Sequence, residues 1–396
     1  MESRQERQLS VALMNVNDAR STADLVYRLN CLRQLILQYI DKSNLNDIER
    51  DHHLSAPSIK TSDEDKALIR KKSRLLSCLL ELVELYDHYE VLMEISTSLA
   101  VLFRYFYPIK IPNANEAVPI IELERISLIL PMLVSPHESL TINCLKILEA
   151  IASNVSEINF QSAMIQNLIK AVHLNKSIEF LQMTASVTYI LATSRYFTWE
   201  AFSYNLLHIT GILIQSDDVQ VLQYTIKTLI NLLALRHEPI FARLHNHITL
   251  PRIFEVFTSG SPRLYEPALQ LLNRLVMVEH SHSVLTIGIK LIPSMKGMIQ
   301  NYKKLSITNL ESILLILTNL ILTDRILLQK IIDEDVVLDV INCVKQMPSL
   351  SWSLTDISRN AIYSGTKEQT QKLDAIFKDH DDLPCMKELR LALRYL

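Results

Sequence analysis

Histidine, cysteine, serine and the carboxylates are all present in this chain, but not in spacings that do chemistry. His237, His245 and His247 lie close together, and so do Glu279, His280 and His282, both groups in turns after apolar helical stretches. A zinc centre wants four ligands at defined spacing, and neither group has a CxxC or HExxH companion. Both groups read as solvated turn residues, as do His52 and His53. Cys31, Cys78, Cys144, Cys343 and Cys385 are scattered without a CxxC. That is the usage of a reducing compartment, where a free thiol behaves as a small hydrophobe. There is no GxSxG elbow, no papain-like cysteine context and no motif-supported carboxylate pair. No catalytic residue, metal or cofactor is expected, and the chemistry left to the chain is binding.

Composition says which elements carry that binding. The 396 residues are 48% hydrophobic and 7% aromatic, with Gly at five positions; average usage of about 7% would give roughly 28 glycines. No glycine sits in GxGxxG or GxxxxGK[ST], so phosphate cradles of those types are absent. A chain this poor in glycine is also a poor candidate for β-hairpins, whose turns need positive φ. All-α is the expected class. Forty Lys plus Arg against 43 Asp plus Glu leave a net charge of −3, which gives no field for nucleic acid. The start, MESRQERQLS, has no apolar signal region, and the apolar run Ile313 to Leu322 is too short to span a bilayer. A soluble, intracellular protein with no membrane partner is expected.

Internal repetition then organises the helices. LILPMLVSPHESLTINCLKILEAIA (128–152) is an apolar helix, a Ser-Pro break and a second apolar helix. The same grammar returns at 248–276, 290–321 and 336–362, with 167–191 and 205–233 between them. Superposing the second helices aligns Ala150, Tyr189, Asn231, Arg274, Asn319 and Asn360, at spacings of 39, 42, 43, 45 and 41 residues. A period of about 40–47 residues with two or three helices is the armadillo/HEAT signature. One helical hairpin cannot bury its apolar face alone, so neighbours stack into a continuous core. The prediction is a right-handed α-solenoid of armadillo (ARM) repeats, about seven or eight over 23–396. A short arm over 1–22 precedes it, and a polar loop interrupts it at 41–66 (DKSNLNDIERDHHLSAPSIKTSDEDK).

The aligned column also resembles a known family, the importin-α type of armadillo protein, which carries nuclear-localisation peptides. NAIYSGTKEQ (360–369) is similar to that family's N-x-x-S-G-G-x-x-E-Q ending of a third helix. KTLINLL (227–233) resembles its basic-residue variant, and TASVTYIL (184–191) its repeat with Tyr in place of Asn. The resemblance implies a concave groove in which Tyr189, Asn231, Asn319 and Asn360 hold an extended peptide backbone, since one amide both donates and accepts. It implies that Lys227 and Arg274 steer polar or acidic groups, and that Glu311 and Asp356 accept from cargo Lys or Arg. The family's Trp, four residues before the Asn, is replaced here by Lys146, Ala185, Lys227, Gln270, Leu315 and Asp356. The aromatic pockets for Lys stems are therefore missing. RQERQLSVALMN (4–15) echoes the family's importin-β-binding arm with few charges, and the family's cycle implies cytoplasm and nucleus as location. The basic run Arg70, Lys71, Lys72 and Arg74 reads as a solvated helix face, or as a self-recognition segment of the importin type.

Two readings of the residues stay open. The three Asn can tie neighbouring repeats together through hydrogen bonds, or, as members of one column on one surface, contact a peptide. The function is either an importin-α-like adaptor for a basic nuclear-localisation peptide or an armadillo scaffold for protein–protein interaction without an import role.

Overall fold

The computed structural model describes residues 4–50, 63–106, 123–152, 158–174, 177–193, 200–234, 250–258, 261–278, 282–380, 382–383, 386–387 and 389–390. Among these the regular structure is helical, without a strand. The chain forms two compact units, Met1–Ile209 and Thr210–Leu396.

The first unit contains α1 (Arg4–Asn17), α2 (Thr22–Arg50), α3 (Asp63–Leu85), α4 (Tyr89–Phe106), α5 (Leu123–Ile126), a 3-10 segment Ser127–Val134, α6 (Glu138–Ala152), α7 (Ile158–Leu174) and α8 (Ile178–Thr193). The next helix is α9 (Glu200–Leu213). Helices α2, α4, α6 and α8 pack in series, each on the next. The predicted Ser-Pro break is visible before α6. Ser135 takes φ −62°, ψ 143°, the extended conformation that a following proline favours, and its hydroxyl accepts from the His137 N–H at 3.2 Å.

The second unit contains α10 (Val219–Ala234), α11 (Leu250–Thr258), α12 (Pro262–Val278), α13 (His282–Gln300), α14 (Ile307–Thr323), α15 (Arg325–Asp333), α16 (Val336–Gln346), α17 (Ser351–Ser364) and α18 (Lys367–Lys378). Helices α10, α12, α14 and α17 again pack in series. Pro262 opens α12, where its missing N–H costs nothing. Helix α14 shows why the apolar run is long: Leu310, Ile313, Leu314, Ile316, Leu317, Leu320 and Ile321 are all buried. It is wedged between α12, α17, α13 and α15, and a helix packed on most sides must be apolar on most sides.

The 360–369 motif is a helix-to-helix turn. Helix α17 ends at Ser364, Gly365 is extended, and Thr366 caps α18. The Thr366 hydroxyl accepts from the Gln369 N–H at 3.3 Å while Gln369 Oε1 accepts from the Thr366 N–H at 2.8 Å. This is a capping box. Counted from Asn360, the resembled motif's two glycines fall on Ser364 and Gly365, so this chain keeps the second, and the capping Thr366 follows it.

One expectation differs from the structure. The segment taken as a polar loop is helical over 41–50 and 63–66; no Gly or Pro interrupts DKSNLNDIER, so α2 continues beyond its apolar stripe. Residues 51–62 lie outside the described residues. The arm 1–22 contains α1, which packs on α2 with Val16 only 2% exposed. The Arg28 guanidinium, paired with Asp24 at 2.8 Å, also donates to the Asn15 carbonyl.

Candidate functional site

Each helix of the second unit's series turns one narrow face away from the core. On α10 that face carries Gln220, Gln223, Tyr224, Lys227 and Asn231, with buried residues filling most of the rest of the circumference. On α12 it carries Arg263, Glu266, Gln270, Asn273 and Arg274; on α14 Glu311, Leu315, Asn319 and Leu322; on α17 Trp352, Asp356, Arg359, Asn360 and Tyr363. Residues four apart differ by about 40° around a helix, so Lys227/Asn231, Gln270/Arg274, Leu315/Asn319 and Asp356/Asn360 form one pair per helix.

Seven of the eight predicted site residues therefore fall on this series: Lys227, Asn231, Arg274, Glu311, Asn319, Asp356 and Asn360. Arg274 and Glu311 are exposed, and the other five are half-buried. Tyr189 is half-buried on α8 of the first unit.

Side-chain partners divide the column. Asn319 Nδ2 donates to Asn273 Oδ1 of the neighbouring helix at 3.0 Å, so for Asn319 the tie between repeats is real. Its own carbonyl oxygen and second N–H stay in the inventory. Asn231 and Asn360 have no side-chain partner among the described residues, and neither do the charges of Arg274, Glu311 and Asp356.

The first unit is different. There several polar groups on the series are spent on each other. Arg33 pairs with Glu94 at 3.0 Å, and Asn143 Nδ2 donates to Ser96 Oγ and Thr97 Oγ1, both at 3.0 Å. Lys146 pairs with Glu179 at 3.2 Å, and Ser186 donates to Glu149. A face whose polar groups are mutually satisfied offers less to a ligand than one whose amides are half-desolvated and unpaired.

Sequence reasoning missed Asn273, which sits one residue from the aligned column position and meets Asn319. Trp352, which the aligned column does not include, is 71% exposed and stands one turn before Asp356. A search along the whole open face, rather than at the single position before each Asn, finds it.

Two of the cysteines, Cys144 and Cys343, behave as core. Cys144 is fully buried, donates to the Ile129 carbonyl at 3.3 Å, and burial pushes its thiol well above the ordinary range. Burial raises the Cys343 thiol as well. The attacking species is the thiolate, so both are poor nucleophiles. His237, His245, His247, Glu279 and His280 lie outside the described residues, and His282 is the first residue of α13. Among the described residues no group of three or more His, Cys, Asp or Glu could hold a metal ion, and no helix is long and apolar enough to cross a membrane.

No family model matches this sequence, and no curated protein matches it by sequence. Solved structures do match by shape. The crystal structure of an engineered protein aligns with TM-score 0.58 at 13% identity, over 99% of this chain and 95% of that one. A chain solved in work on a phosphorylation switch controlling the interaction between cadherin and beta-catenin aligns with TM-score 0.64 at 12% identity, over 96% of this chain and 67% of that one. A designed armadillo repeat protein in complex with a (KR)4 peptide aligns at 0.46 and 15% identity, over 69% of this chain and all of that one, too low a score to carry weight. The fold is an all-α solenoid of armadillo repeats.

Proposed function

We propose that this protein is a binding scaffold whose second unit holds an extended segment of a partner protein across α10, α12, α14 and α17. The observation that carries the reading is the pair of half-buried amides without a partner among the described residues, Asn231 and Asn360, at equivalent positions on the first and last helices of the series. Asn319 between them keeps part of its bonding capacity. An extended peptide presents alternating N–H and C=O groups, and side-chain amides match both. Glu311 and Asp356 suit a partner's Lys or Arg, and the resemblance to importin-α makes the ligand a basic nuclear-localisation peptide. In that reading the protein is an import adaptor working between cytoplasm and nucleus, with importin-β as a further partner of the arm.

A second reading is a protein-interaction scaffold without the import role. The packing of α1 on α2 favours it, because an arm folded onto its own unit must be released before another protein can bind it.

The test is fluorescence anisotropy with a labelled Lys-rich peptide. Wild type is expected to bind at micromolar affinity or better, and the triple variant Asn231→Ala/Asn319→Ala/Asn360→Ala to lose at least ten-fold. Each lost hydrogen bond contributes about 0.5–1.5 kcal/mol. A folded wild type that ignores the peptide removes the basic-cargo reading and leaves the scaffold.

A further inference from the structure

The open face of α17 holds a pattern of which the peptide reading uses Asp356 alone. Trp352, Asp356, Arg359 and Tyr363 follow at steps of four, three and four residues, which keeps them on one stripe of a helix with 3.6 residues per turn. Leu354, Ile357, Ser358 and Ala361 occupy the opposite, buried side. Trp352 is 71% and Tyr363 65% exposed, unusual for aromatic side chains in a chain with two tryptophans. Isolated exposed apolar residues are ordinary; Trp, Tyr and Arg on one stripe are the residue types of interface hot spots. Neither Asp356 nor Arg359 has an ion-pair partner among the described residues. Helix α17 is also the last described member of its series: it packs on α14, and no further series helix follows it among the described residues.

We infer that this stripe is a contact between two copies of the chain, with their α17 helices antiparallel about a two-fold axis. An axis crossing the helix between Ile357 and Ser358 exchanges position 352 with 363 and position 356 with 359. Trp352 of one copy then meets Tyr363 of the other at both ends, and Asp356 meets Arg359 twice in the middle. An isologous contact requires such self-complementarity, since one patch must serve as both surfaces. Within a single stripe this chain supplies an aromatic for each aromatic and an opposite charge for each charge. A foreign helix would have to bring the complement itself. Four aromatic side chains of about 150–250 Å² each make a contact at the small, reversible end of protein interfaces. The dimer should therefore depend on concentration.

The inference shares Asp356 with the peptide reading but does not depend on it, and its test uses no peptide. Sedimentation velocity of the full chain from about 1 to 300 μM, a span that brackets weak protein contacts, should show the mass rising from the 45.5 kDa monomer towards twice that value. Trp352→Ala should weaken association at least ten-fold, as should Asp356→Arg or Arg359→Asp alone. The combined Asp356→Arg/Arg359→Asp variant should restore it, because a two-fold contact exchanges both members of each pair. These side chains lie outside the core, and far-UV circular dichroism checks that each variant is folded. A monomer at every concentration overturns the inference. So does a dimer indifferent to the single variants, or one that the double swap fails to restore.

Discussion

At position 365 the chain needs the absence of a side chain for reasons of space, not of backbone angle. Gly365 has φ −75°, ψ 154°, which any residue can adopt. A Cβ built there, however, would lie 2.7 Å from the Ala361 carbonyl oxygen, closer than atoms pack, and the obstacle is backbone that cannot swing aside. Gly365→Ala is expected to cost about 1–3 kcal/mol, the usual penalty for overpacking, read as a lower urea midpoint with an unchanged slope. A neutral substitution would mean that the α17–α18 turn relaxes freely. The same scale separates the cysteines: Cys144 is sealed in the core and Cys31 is exposed, a difference that sequence spacing does not carry.

Between elements, the question is what the column asparagines do. Asn319 joins α14 to α12 through Asn273, whereas Asn231 and Asn360 have no such tie among the described residues. A double-mutant cycle on Asn273→Ala and Asn319→Ala should give a coupling of about 0.5–1.5 kcal/mol in unfolding free energy, within the range for contacting residues and for one net hydrogen bond. Asn231→Ala and Asn360→Ala should change stability by less and peptide affinity by more. Coupling near zero for the 273–319 pair would mean that the bond contributes nothing in solution and that Asn319 is as available to a ligand as its neighbours.

For the molecule as a whole, stacked repeats imply that damage stays near its origin, because each repeat contacts its immediate neighbours. Phe180 is fully buried on α8 in the first unit. Phe180→Ala should cost about 3–5 kcal/mol locally. In native-state hydrogen exchange it should loosen α6 and α8 while leaving α14 and α17 at wild-type protection. Uniform loss of protection along the chain would show instead that the two units unfold as one cooperative block.

How much of this was legible in the sequence follows from what periodicity encodes. The scarcity of glycine, the recurring Ser-Pro or polar break and the spacing of about 42 residues between aligned positions determined an all-α repeat fold, because burying the apolar face of each hairpin forces neighbours to stack. They also placed seven of the eight candidate residues on one series of helices, since equivalent positions in a solenoid share a surface. Which side chain meets which lay beyond that pattern. Rotating a helix by one residue moves a side chain by 100°, so the choice of Asn273 rather than Arg274 as the partner of Asn319 depends on how α12 and α14 settle against each other. The helical continuation of α2 over 41–50, the packing of α1, the mutual satisfaction of polar groups in the first unit and the exposure of Trp352 are of the same kind. Each depends on whether a neighbouring surface is present to bury or bond the group, and tertiary packing alone decides that.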